Sequence, residues 1–171
     1  QGSYITDEGT DVGEERYWNV LDRYIDERLN IHGVPVFLTN GNHEFYQNDR
    51  MNTTGAFKPE RLIASITGQV DYIDDNYGKT VEIIRDEANE NALYYAANMY
   101  GTKYIFMSTP ELSEDKMTGT YTVSDKQLAF VESQLAEANG NTVFVITHMP
   151  VSGLTNKDAV NALLAEYPNT I

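Results

Sequence analysis

The 171-residue chain has no cysteine. That excludes disulfides and thiolate-bound zinc, so any metal must sit on His, Asn, Asp, Glu or water. Such donors favour a hard or borderline divalent ion, namely Mn, Fe, Zn or Mg. Basic residues are also few, 12 against 26 acidic ones, for a net charge of −14. With no basic stripe to release counterions, binding to a nucleic-acid backbone is not expected. Long apolar runs are missing: nothing approaches the roughly 18 residues that a membrane span requires. The first residues lack the basic-then-apolar pattern of a secretory signal. The acidic, cysteine-free composition fits a secreted bacterial protein and a cytoplasmic one equally, so localisation stays open.

What is present is the composition of an ordinary folded protein, 41% hydrophobic and 22% charged. The length argues for one domain over residues 1–171. Helical spacing of Tyr17, Leu21, Tyr24, Ile25 and Leu29 predicts a helix from about Glu14 to Ile31, stopped by His32-Gly33. Val34–Leu38 is apolar throughout and predicts a short strand buried on both faces. Residues 45–91 read as an insert whose clearest feature is a helix over Lys58–Thr67 opened by Pro59. Ala92–Tyr100 and Lys103–Thr109 predict a hairpin turning at Gly101-Thr102. Ser124 and Gln127 predict a capping box for a helix with Leu128, Val131 and Leu135 on its buried face. Thr142–Thr147 predicts a second buried strand, and a last helix is expected over Asn156–Glu166. The expected fold class is α/β, a layered fold with a mixed sheet flanked by helices.

Two places stand out chemically. Val34–Leu38 runs into Thr39-Asn40-Gly41-Asn42-His43-Glu44, and Thr142–Thr147 runs into His148-Met149-Pro150. Ligands in open α/β sheets gather beyond the carboxyl ends of strands, so two adjacent strands would bring an amide and two imidazoles to one rim. Gly41 permits the turn that this needs. Taken singly, each feature has a plain structural reading: Asn-Gly-Asn is a common turn, and a histidine after a strand is commonly a hydrogen-bonded loop residue. His32 suits a helix C-terminus and is given no function. Tyr94, Tyr95 and Tyr100 are read as strand residues.

Jointly, Gly41-Asn42-His43-Glu44 after VPVFLTN and His148-Met149-Pro150 after VFVIT resemble the calcineurin-like metallophosphoesterase family. SDKQLAFVESQLAEA is similar to the helix that commonly precedes the second block. The resemblance implies a layered fold and hydrolysis of phosphomonoesters or phosphodiesters by a pair of divalent ions roughly 3.5–4 Å apart. It implies Asn42 and His148 as ligands of one ion, His43 as the catalytic histidine, and Glu44 as a carboxylate that helps hold the loop.

The other family blocks depart from the pattern. Asp-x-His and Gly-His-x-His are absent, and the Gly-Asp-x-x-Asp block aligns to Ser3-Tyr4-Ile5-Thr6-Asp7. Asp7 then falls where the family has an aspartate that orients the catalytic histidine, and Tyr4 where it has the metal-bridging one. The expectation is therefore a domain truncated at both ends, weakly metal-binding and inactive alone, whose complete parent takes a phosphate ester. Self-association through exposed sheet edges is expected with it. Two other readings remain: a binding module that keeps the fold without metals, and an unrelated α/β domain in which Asn42 and His148 lie far apart.

Overall fold

The computed structural model describes residues 20–21, 23–45, 59–89, 91–113 and 118–171. Its centre is a four-stranded mixed sheet of β1 (Val81–Ile84), β2 (Tyr95–Met99), β3 (Thr102–Phe106) and β6 (Val143–Ile146) in the order β1-β2-β3-β6. The first two pairings are antiparallel and β3–β6 is parallel. A second, two-stranded sheet joins β4 (Glu111–Leu112) to β5 (Gly119–Thr120). The protein is thus α/β with a mixed sheet, as the sequence predicts.

The period-two alternation of strands sorts the core into two layers. Tyr94, Ala96, Ile105 and Val143 join a cluster with Phe130, Val131 and Leu135 of α3 (Asp125–Glu137) and Val160 of α4 (Lys157–Glu166). Their chain neighbours Tyr95, Ala97 and Phe106 join the other cluster, with Leu62, Ile66, Val70 and Ile73 of α2 (Pro59–Tyr77). Helices therefore cover both faces of the sheet. Each fully buried Leu or Ile in these layers contributes roughly 1.5–3 kcal/mol.

Several elements differ from expectation. The helix predicted over Lys58–Thr67 starts at Pro59 but runs on to Tyr77. Its second half is rich in Asp, Asn and Tyr and a poor helix former alone; burial of Val70 and Ile73 on the sheet overrides that weak propensity. The β2–β3 turn lies one residue earlier than predicted, with Tyr100 (φ 51°) and Gly101 (φ 79°) at its centre. Two positive-φ residues are what a two-residue hairpin loop of the primed type demands. Of the first helix, residues 20–21 and 23–28 (α1) are helical. Gly33, at φ 67°, ends the following 3-10 turn Asn30–His32 by donating its N–H to Asn30 O. Ile25 of the predicted stripe is buried, Tyr24 is exposed, and Tyr17 lies outside the described residues.

The largest correction concerns Val34–Leu38, which joins no sheet. Val34 is 46% exposed, and side chains from elsewhere replace a ladder. Gln69 Nε2 donates to Val36 O (3.1 Å), and the Tyr95 hydroxyl donates to Leu38 O (2.8 Å). Phe37 stacks on Phe106 with ring centroids 5.2 Å apart. The flank of β6 away from β3 is taken instead by residues 169–171, through an isolated bridge between Val143 and Thr170. The free edge expected beside Val34–Leu38 therefore does not exist in that form.

The cap of α3 is also built differently. Ser124 accepts from Gln127 N–H as predicted (3.1 Å), but the reciprocal bond is made by Glu111, which accepts from Ser124 N–H and from its hydroxyl, both at 2.7 Å. Gln127, fully buried, turns inward to Ser108. At the head of α4, Asn156 makes no cap and instead pairs with the Val123 backbone through both its side-chain polar atoms.

Candidate functional site: the Asn42–His148 pair

The loop leaving Leu38 is anchored residue by residue. The Thr39 hydroxyl donates to Met107 O (2.8 Å). Asn40, only 1% exposed, donates from Nδ2 to Pro110 O (2.5 Å) and accepts the Ser108 hydroxyl on Oδ1 (2.8 Å). Gly41 is extended (φ −114°, ψ −178°) and opens a single 3-10 turn over Asn42–Glu44. The Glu44 carboxylate folds back to accept Gly41 N–H at 2.6 Å. Phe45 then drops into the α2-side core, where a Cβ on Gly119 would come within 2.6 Å of its ring.

From the other direction, β6 ends at Ile146 and delivers Thr147, His148 and Met149 to the same rim. His148 Nε2 stands 2.9 Å from Asn42 Oδ1. An amide oxygen only accepts, so the imidazole donates through Nε2–H in this arrangement. The approach depends on Gly41: a Cβ there would lie 2.9 Å from both Cε1 and Nε2 of His148 and 3.0 Å from Glu44 Oε2. His148 is exposed and Asn42 half-buried, so the pair sits at the surface of the rim.

Asn42, Glu44 and His148 are thus brought together, although one of the two strands expected to deliver them is not a strand. The backbone of His43 belongs to the same 3-10 turn; its side chain and all of Asp7 lie outside the described residues. His32 is exposed at the end of its own turn, remote in role from the pair. Thr109, Thr147, Ser108 and Asn40, which build the floor, carry no sequence signal beyond that of ordinary turn residues.

The pair fits one edge of a metal shell. Donor atoms about 2.0–2.2 Å from one ion and at right angles lie about 3 Å apart, which is the Asn42–His148 separation. The set does not complete a shell. Both donors are neutral, and among the described residues no cluster of three or more His, Cys, Asp or Glu is placed to hold an ion. Hard and borderline divalent ions want carboxylates and more ligands. Among the described residues, no helix is long and apolar enough to cross a membrane. No protein-family model matches this chain, and no curated protein matches it.

Proposed function

We propose that the chain carries a calcineurin-like metallophosphoesterase fold, with Asn42 Oδ1 and His148 Nε2 as two ligands of one divalent ion. The observation that carries this reading is the 2.9 Å approach of two residues far apart in sequence, each in the motif that the family resemblance assigns to a ligand. An unrelated α/β domain with incidental loop residues predicts that the two are well separated. In this reading a bound divalent ion supplies polarisation of a phosphoryl oxygen and activation of water. The chain's own residues do the positioning: Gly41 leaves room, Glu44 closes the 3-10 turn, and Nε2 must give up the proton it now donates to Oδ1. His43, next to Asn42 in that turn, is the residue assigned to the leaving oxygen, with Asp7 orienting it.

Two neutral donors hold an ion weakly, so the chain alone is expected to bind metal poorly and to turn over no phosphate ester. The remaining ligands would come from outside the described residues. A second reading, a binding module that retains the fold without metals, is favoured by one fact: the pair satisfies itself by a direct hydrogen bond.

Calorimetric titration of Mn²⁺ into metal-stripped protein separates the two. Binding that disappears in His148→Ala supports the metal site. Binding indifferent to His148, or no binding at all, supports the module. Metal-dependent phosphatase activity of the isolated chain that His43→Ala abolishes would overturn the expectation of inactivity.

A further inference from the structure

The segment that leaves β3, Met107–Pro110, touches both loops that carry the pair. Toward the first loop it receives the Thr39 hydroxyl and the Asn40 amide on Met107 O and Pro110 O, and it gives the Ser108 hydroxyl to Asn40 Oδ1. Toward the second, Met149 N–H donates to Thr109 Oγ1 (3.2 Å), and the Thr147 hydroxyl donates to Met149 O (2.8 Å). A hydroxyl has one proton to give. Thr147 has spent its own on Met149, so in the 2.5 Å contact between the two threonine hydroxyls Thr109 is the donor. The three bonds close a ring through Thr109, Thr147 and Met149, the last two being the residues on either side of His148.

We infer that Thr109 is a positioning residue: its hydroxyl clamps both chain neighbours of His148 and so aims the imidazole at Asn42. Thr109 and Ser108 are 0% exposed, so water does not compete at the Thr109 hydroxyl from which the ring is built. The exposed imidazole, in contrast, has Asn42 Oδ1 as its one side-chain partner at hydrogen-bond distance among the described residues. Its direction is therefore set from behind, by the backbone that Thr109 holds. The clamp itself stands without the metal reading; only its effect on ion affinity rests on that reading.

The test uses the full chain, with Thr109→Val to remove the hydroxyl while keeping the branched shape and Thr109→Ser to restore the hydroxyl. The first readout needs no metal. One Gly41 Hα points where a Cβ would lie 2.9 Å from His148 Cε1, so wild type is expected to show a strong proton–proton NMR contact between Gly41 Hα and His148 Hε1. Thr109→Val is expected to lose that contact while the cross-strand Ile105–Val145 contacts persist, and Thr109→Ser to retain it. The second readout is Mn²⁺ affinity, expected to fall about 10–100-fold in Thr109→Val and to recover in Thr109→Ser. A folded Thr109→Val that keeps the Gly41–His148 contact overturns the inference. If Thr109→Val does not fold, Thr147→Val opens the same ring and is judged by the same contact. Loss of the contact in a protein that never bound Mn²⁺ leaves the clamp standing and removes the metal reading; Mn²⁺ binding with the contact unmoved does the reverse.

Discussion

His148 Nε2 and Asn42 Oδ1 are 106 residues apart in the chain and 2.9 Å apart in space, and the missing side chain of Gly41 is what lets them meet. The atoms a Gly41 Cβ would strike are the tip of an exposed imidazole and a carboxylate oxygen, both able to swing away. Gly41→Ala is therefore expected to part the pair while changing stability by less than about 1 kcal/mol. Gly119→Ala strikes the ring of buried Phe45 instead and is expected to cost about 1–3 kcal/mol. Urea unfolding of both variants, with a proton–proton contact between the Asn42 side chain and His148 Hε1 followed in the first, checks the contrast. A Gly41→Ala protein with that contact intact would show that the glycine is not needed.

Gln127 is the hub under the site's floor. Its Oε1 accepts Ser108 N–H at 2.8 Å, and its Nε2 donates to Ser108 O and, at 2.7 Å, to Glu111. Gln127→Leu keeps the volume but leaves a buried N–H without a partner, at an expected cost of about 1–3 kcal/mol. Equilibrium unfolding in urea measures it, and a neutral result would mean the 107–111 segment re-pairs on its own.

Tyr94 and Tyr95 should make the protein sensitive to alkali. Burial is the main cause pushing both phenols above their ordinary value; the hydrogen bond from Tyr94 to Asp86 pushes the same way. A raised folded-state value means that the folded protein holds its phenolic protons longer than the unfolded chain does. Their stabilising contribution is full below the ordinary phenol range, about pH 10, and is lost as pH rises through and above it. Unfolding midpoints followed from neutral pH upward should fall less steeply in Tyr95→Phe than in wild type. Equal slopes would place the alkaline transition elsewhere. Tyr95→Phe should also cost about 1 kcal/mol at neutral pH, because Leu38 O loses its donor.

Tyr100, 89% exposed, holds φ 51° ahead of Gly101 and contributes no packing for that strain. Tyr100→Asn installs the Asn-Gly pair that such turns prefer and is expected to stabilise by about 1 kcal/mol. A rise in the thermal midpoint checks this, and no rise would mean that the tyrosine ring stabilises the hairpin in some other way.

Much of the fold was legible in local pattern. The hairpin of β2 and β3, the helix after Ser124 and the strand Val143–Ile146 follow from period, propensity and punctuation, each a property of neighbouring residues. The α2 helix was half legible, since its second half is helical only because Val70 and Ile73 have a sheet to cover. Val34–Leu38 reads as a strand but is not one, because an apolar run states that a segment is to be covered and not by what. Here Tyr95, Gln69 and Phe106 cover and tether it, and among the described residues no strand pairs with it.

The sequence by itself determined which residues stand in the candidate site, because Gly41-Asn42-His43-Glu44 and His148-Met149-Pro150 are contiguous blocks whose chemistry can be read in place. Only the tertiary structure decided that Asn42 meets His148, that Glu111 and not Gln127 completes the Ser124 cap, and that Thr109 clamps both sides of His148. The physical reason is range. Apolar periodicity reports which face is buried and repeats within a few residues, whereas a hydroxyl or amide has many possible partners along the chain, and the one it finds is set by which backbones the packed layers bring within 3 Å or so.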